Sequence, residues 1–238
     1  SFMAPLLLDD LDLVSRPVNY VSYTASSNDG RAHDVKISFE ATGDWARHAE
    51  YQDVDLSAEE DGELVYLKAG TREQNILGRK GDHVCIDWGY FYLAAGKDGA
   101  SIKVDAPVMT LSQNLGRVKG ETSGRIMVGY DDICSIQYFG ENLRPYWNRD
   151  GSHTIQEQFS LANAQFEELR KKCDAFDRKL ISDATAAGGR KYAELCALAY
   201  RQAYSAHKLV ELPDGGLAYF SKENNSNGSI GTVDVTYP

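Results

Sequence analysis

The sequence predicts a mainly β protein with added α: an antiparallel β-sandwich through residue 150, followed by long helices. Two observations predict it. Many short strand signals, separated by turn residues and almost free of helical periodicity, fill the first part. After Asn148-Arg149-Asp150-Gly151 the apolar residues instead recur every three or four positions, which is the spacing of one helix face.

The strands read in order. Val18–Thr24 is the first, and Ser27-Asn28-Asp29-Gly30 supplies Asp-Gly turn chemistry into the second, so the two are expected to pair as a hairpin. In the second, Val35, Ile37 and Phe39 alternate with Asp34, Lys36, Ser38 and Glu40, the period of a strand with one wet face. Glu63–Ala69, Val84–Ala95, Ser101–Val104, Arg125–Tyr130 and Ile133–Phe139 continue the series, with Gly96-Lys97-Asp98-Gly99 as one clear turn. Phe159, Ala162, Phe166, Leu169, Cys173, Phe176 and Leu180 then define a long amphipathic helix, capped by Ser152 or Thr154 and ended at Ala187-Gly188-Gly189. A second helix is expected from Arg190 to Leu209, apolar around most of its surface and therefore built to be covered. Pro213-Asp214-Gly215-Gly216 turns the chain into a short strand, Leu217–Ser221. With so little chain downstream to cover that helix, truncation is expected.

Composition bounds the function. The net charge of −10, with no cluster of Lys or Arg, argues against nucleic acid or anionic membrane as partner. No apolar run reaches the roughly 20 residues of a membrane span, and Ser1-Phe2-Met3 lacks the basic flank of a signal peptide. Cys85, Cys134, Cys173 and Cys196 form no CxxC pair and have no His at ligand spacing, so no metal is expected. Neither a P-loop nor GxGxxG, GxSxG or HExxH occurs, and no cofactor is expected.

Candidate chemistry concentrates between Arg201 and Asp234. Arg201, Gln202 and His207 lie on the second helix as substrate-binding candidates, and Glu223, Asn224, Asn225, Asn227 and Asp234 crowd the loop beyond it. Two carboxylates across a turn, Glu223 and Asp234, can divide acid and base roles, while Asn224 and Asn227 can hold a substrate amide or a sugar hydroxyl. The plain alternative is a tight polar loop with Asp234 as a cap, and His207 at a helix end favoured by the dipole. Asp87-Trp88-Gly89-Tyr90 with Trp45 reads as an aromatic sugar platform or as sandwich core. Asp131-Asp132 reads as a hairpin turn, and Asp53, Asp55, Glu59, Glu60 and Asp61 as a solvated acidic loop or a cation site.

Several blocks resemble the glutaminase A family: Asp9–Leu13, Ser15–Tyr20, Asp29–Val35, Tyr192–Leu195 and Ala199–Tyr204. The most specific are Phe220-Ser221-Lys222-Glu223-Asn224, Ser226-Asn227-Gly228 and Gly231–Pro238. The resemblance implies an N-terminal β-sandwich over 1–150, a linker helix over 151–189 and, over 190–238, the first part of a truncated six-hairpin (α/α)6 toroid. It further implies a secreted, periplasmic or cell-surface hydrolase that converts glutamine to glutamate and ammonia. Glu223 and Asp234 match the family motif and are the expected catalytic pair. The toroid also suggests a glycoside hydrolase with paired carboxylates, and a non-catalytic glycan-binding or supporting module is the third alternative. The expected partners are a small amide or glycan, the remaining toroid, and a second copy through the exposed apolar face; the piece in hand is expected to be nearly inactive.

Overall fold

The computed structural model describes residues 1–81, 83–222 and 229–231. Glu223, Asn224, Asn227 and Asp234 lie outside the described residues.

Strands β1 (Phe2–Met3), β2 (Val18–Ser26), β4 (Val54–Asp61), β5 (Leu64–Thr71), β6 (Tyr90–Gly96) and β9 (Glu121–Asp131) form an antiparallel sheet in the order β1-β2-β9-β6-β5-β4. A second sheet has the order β3-β8-β7, from β3 (His33–Thr42), β7 (Ala100–Asp105) and β8 (Val108–Val118). The two pack face to face as the sandwich expected. Helix α1 (Leu11–Ser15) leads into β2, and the short pair β10 (Ile136–Tyr138) and β11 (Glu141–Leu143) follows β9.

Burial explains which strands alternate and which do not. In β3, Val35, Ile37 and Phe39 are half-buried between exposed polar residues, because the smaller sheet has water on its outer face. The larger sheet is covered on both faces. Val65, Leu67, Leu93 and Ile126 join Met109 and Leu111 between the sheets, while Tyr20, Tyr66, Tyr92 and Met127 point the other way. There they meet Phe159, Ala162, Phe166 and Leu169 of α2 (Ile155–Gly188). Hence β5 reads as an almost unbroken apolar run. Tyr20 Oη donates to Ala162 O at 2.9 Å, and Arg125 Nη2 donates to Asn163 O and Oδ1 at 3.0 and 2.7 Å, pinning helix to sheet.

Thr154 caps α2 in a capping box: Glu157 N donates to Thr154 Oγ1 at 3.2 Å, and Thr154 N donates to Glu157 Oε2 at 2.9 Å. Gly189, at φ +83° and ψ 177°, turns the chain directly into α3 (Arg190–Ser205). Only the inner side of α3 is covered: Phe176 and Tyr200 meet at 5.0 Å, and Tyr200 Oη donates to Leu6 O at 2.7 Å. Tyr192, Leu195 and Leu198 are exposed, Leu195 by 60%.

Five sequence expectations are corrected. The two first long strands are not a hairpin: β2 pairs with β9 and β3 with β8, so the Asp29-Gly30 turn crosses between sheets. The acidic segment is no loop but the edge strand β4, whose charges suit an unpaired edge, and Arg72 reaches Asp53 and Asp55 at 2.9 Å each. The strand expected from Val84 begins only at Tyr90, where pairing with β9 starts. The strand expected over Ile133–Phe139 is confined to β10, because Ile133 and Phe139 both have positive φ. Finally, α3 stops at Ser205, and the apolar pattern beyond it belongs to β12 (His207–Glu211), paired with β13 (Leu217–Ser221) across the Pro213–Gly216 turn.

Candidate functional site

The β12–β13 hairpin docks on the end of the sandwich. Val210, Ala218, Phe220 and Leu212 pack on Ile136, Leu143 and Tyr138 of the β10–β11 pair. Lys222 follows at once. Its N–H donates to Ala206 O at 2.9 Å, and its backbone bridges to Ile230, while Gly231 N donates to Ser221 O at 2.9 Å. Lys222, Ile230 and Gly231 are thus all held on the hairpin.

Beneath this junction lies a cluster of buried charge. Asp132, 3% exposed, accepts from Lys208 Nζ at 3.0 Å and from Ser135 Oγ at 2.7 Å, both at Oδ2. Burial pushes its pKa up, but Lys208, Ser135 and Lys222 together outweigh that and hold the carboxyl below the usual range. Lys222 Nζ donates to Ser135 O at 2.8 Å and lies 5.2 Å from the centre of the Trp88 ring. Burial and the neighbouring Lys208, against the pull of Asp132, bring its pKa down to about 8. Trp88 is buried; its Nε1 donates to Asp132 O at 2.8 Å, and Trp88 O accepts from Tyr130 Oη at 2.7 Å. One layer further in, Asp87 has no exposed surface and accepts from Arg79 Nε at 2.8 Å and Gln52 Nε2 at 2.9 Å. Asp132 thus anchors a buried network at a turn that joins β9 to β10 without making a hairpin of them, and Trp88 is 5% exposed, a core residue rather than a surface platform. Trp45 is 65% exposed and stacks on Phe91, whose side chain belongs to the core between the two sheets, at 5.7 Å.

Two hollows open beside the Lys208–Asp132 pair. One, of about 210 Å³, is lined by Arg79, Trp88, Tyr130, Asp132, Lys208 and Lys222, with Leu77, Val84 and Ile86. The other, of about 230 Å³, has His207, Tyr204, Tyr219 and Ser135 on its wall. Of the candidate side chains, His207 stands here, its Nδ1 on Ala203 O and its ring 4.7 Å from Tyr219, so it does bind the last turn of α3, although from a strand. Arg201 lines a third, apolar hollow of about 480 Å³ with Leu6, Phe176 and Leu198, and Gln202 is exposed. Arg201 and His207 are not brought together. Lys208, Lys222 and Asp132 were missed as site residues; the available signal was Lys222 itself, inside the most specific sequence block.

No group of three or more His, Cys, Asp or Glu arranged to hold a metal occurs among the described residues, and no helix there is long and apolar enough to cross a membrane.

The family model described as a domain of unknown function, DUF5127, matches residues 1–104 and 96–183, and the glutaminase A six helical-hairpin domain matches residues 189–238. The chain belongs to the glutaminase A family. Glutaminase A of Aspergillus oryzae (strain ATCC 42149 / RIB 40) is 26% identical over 277 aligned residues, covering 100% of this chain and 39% of that protein. This member of the glutaminase A family thus spans 39% of the length of its curated relative. A putative kojibiose phosphorylase from human microbiome overlays with a TM-score of 0.36 at 12% identity, over 84% of this chain and 21% of that one. In this glutaminase A family member, the junction of the two matched models falls where α2 gives way to α3 at Gly189.

Proposed function

We propose that this chain is the sandwich and opening hairpin of a secreted hydrolase that releases ammonia from glutamine or a related amide. The observation that carries the reading is the block from Phe220 to Pro238, the most specific match to a family whose curated relative is called glutaminase A. In this reading Glu223 and Asp234 share the acid and base work on water, and Asn224 and Asn227 hold the amide through paired donors and acceptors. The exposed Tyr192, Leu195 and Leu198 fit burial under further hairpins of the six-hairpin domain, and Arg201 beside them would then line the toroid interior.

The test is ammonia release from glutamine by the whole protein, with aryl glycosides assayed in parallel. Ammonia release lost in Glu223→Gln or Asp234→Asn supports the reading. Sugar release without ammonia replaces it with the glycosidase alternative.

A further inference from the structure

Among the described residues, the hollow beneath Lys222 carries one more cation than carboxylate. Its walls and the layer behind them hold the cations Arg79, Lys208 and Lys222 and the carboxylates Asp87 and Asp132. Arg79 is matched by Asp87 and Lys208 by Asp132. Lys222 has a backbone carbonyl and the face of Trp88, and among the described residues no carboxylate lies within ion-pair distance of its Nζ. An ammonium carries three donors, of which Ser135 O takes one. A half-buried cation with no described carboxylate at ion-pair distance is only partly compensated by Asp132, and a bound anion would recover part of that cost.

The rest of the wall says which anion. Leu77, Val84, Ile86 and Trp88 are apolar, and at about 210 Å³ the hollow is below the roughly 300–1,000 Å³ of pockets for drug-sized ligands. We infer that this hollow is a binding site for a small aliphatic carboxylate, its carboxylate on Lys222 Nζ and its hydrocarbon chain against Trp88 and Ile86. The inference stands apart from amide hydrolysis, since it needs no turnover. A carboxylate can come from solution or from Glu223, the next residue in the chain; we assign the site to the former.

The experiment is titration calorimetry of the full chain with sodium butyrate, butyramide and sodium chloride, repeated on Lys222→Gln and Glu223→Gln. Saturable butyrate binding is expected, at least tenfold tighter than butyramide or chloride, lost in Lys222→Gln and kept in Glu223→Gln. No saturable binding, equal binding of chloride, or unchanged binding in Lys222→Gln overturns the inference. Butyrate binding that appears only in Glu223→Gln overturns it too, because the chain's own carboxylate then fills the site. Should Lys222→Gln fail to fold, ¹³Cε-lysine spectra of the wild type decide. Butyrate must saturably shift the lysine resonance assigned to Lys222 by its absence from Lys222→Arg, and an unmoved resonance overturns the assignment.

Discussion

Lys208 Nζ stands 3.0 Å from Asp132 Oδ2, and this one ion pair joins the hairpin that follows α3 to the loop that leaves the last long strand of the sandwich. Breaking such a pair from one side leaves a buried charge, which costs about 3–5 kcal/mol. Lys208→Met is therefore expected to lower the urea midpoint by that equivalent, and Lys208→Met/Asp132→Leu to recover most of the loss. Because the Asp132 pKa is lowered on folding, its stabilisation is complete above the ordinary carboxylate range and is lost as pH falls through the lowered value. The gap between wild type and Asp132→Asn should accordingly close in acid. A gap unchanged down to the acid transition would remove Asp132 as a charged anchor.

Lys222 has the opposite pH signature to an ordinary stabilising lysine. Its pKa falls from 10.5 to about 8 on folding, so the unfolded chain binds more protons between those values and stability rises with pH there. Below pH 8 the destabilisation is fully present. Relative to Lys222→Met, the wild type should gain about 2–3 kcal/mol between pH 7 and pH 10, read from parallel urea titrations. A flat difference would mean that the ammonium is hydrated in solution and the hollow open to water.

The sandwich was legible because two periods and their turn residues are local properties. Pairing partners were not, since the Asp29-Gly30 turn looks the same whether it joins two strands of one sheet or crosses between two. Leu209 and Val210 continue the apolar face of α3 in sequence, yet cross-strand partners Tyr219 and Ala218 take them into β12; long-range pairing overrode a helical period. Asp131-Asp132 carries turn chemistry, and only the distant Lys208 and Lys222 make Asp132 a buried anchor. A charge cluster assembled from positions near 87, 132, 208 and 222 has no spacing to read.

At the start of α2 the structure separates two capping residues that the sequence left open. Ser152 binds Asp150 through N and Oγ at 3.0 and 2.8 Å, whereas Thr154 closes the capping box with Glu157. Thr154→Ala should cost about 1 kcal/mol and Ser152→Ala less than about 0.5 kcal/mol. Thermal melts of the two variants, with Thr154→Ser as a control that keeps the hydroxyl, decide between them.

Gly129 marks the closest approach of helix to sheet. It lies in β9 between Val18 of β2 and Tyr92 of β6, where a Cβ would stand 2.7 Å from Phe159 Cζ and 2.7 Å from Pro17 O. Phe159 is fully buried at the centre of the α2 contact and meets Tyr66 and Tyr92 at 5.7 and 5.9 Å, so its ring has nowhere to retreat. Gly129→Ala is expected to cost about 1–3 kcal/mol by overpacking. Phe159→Leu alone leaves a cavity, and in combination it should relieve only part of the Gly129→Ala penalty, because the clash with Pro17 O is with backbone. A double-mutant cycle in urea measures the coupling. Full relief would mean that the ring alone sets the distance between α2 and the sheet; strictly additive losses would mean that the helix shifts away without cost.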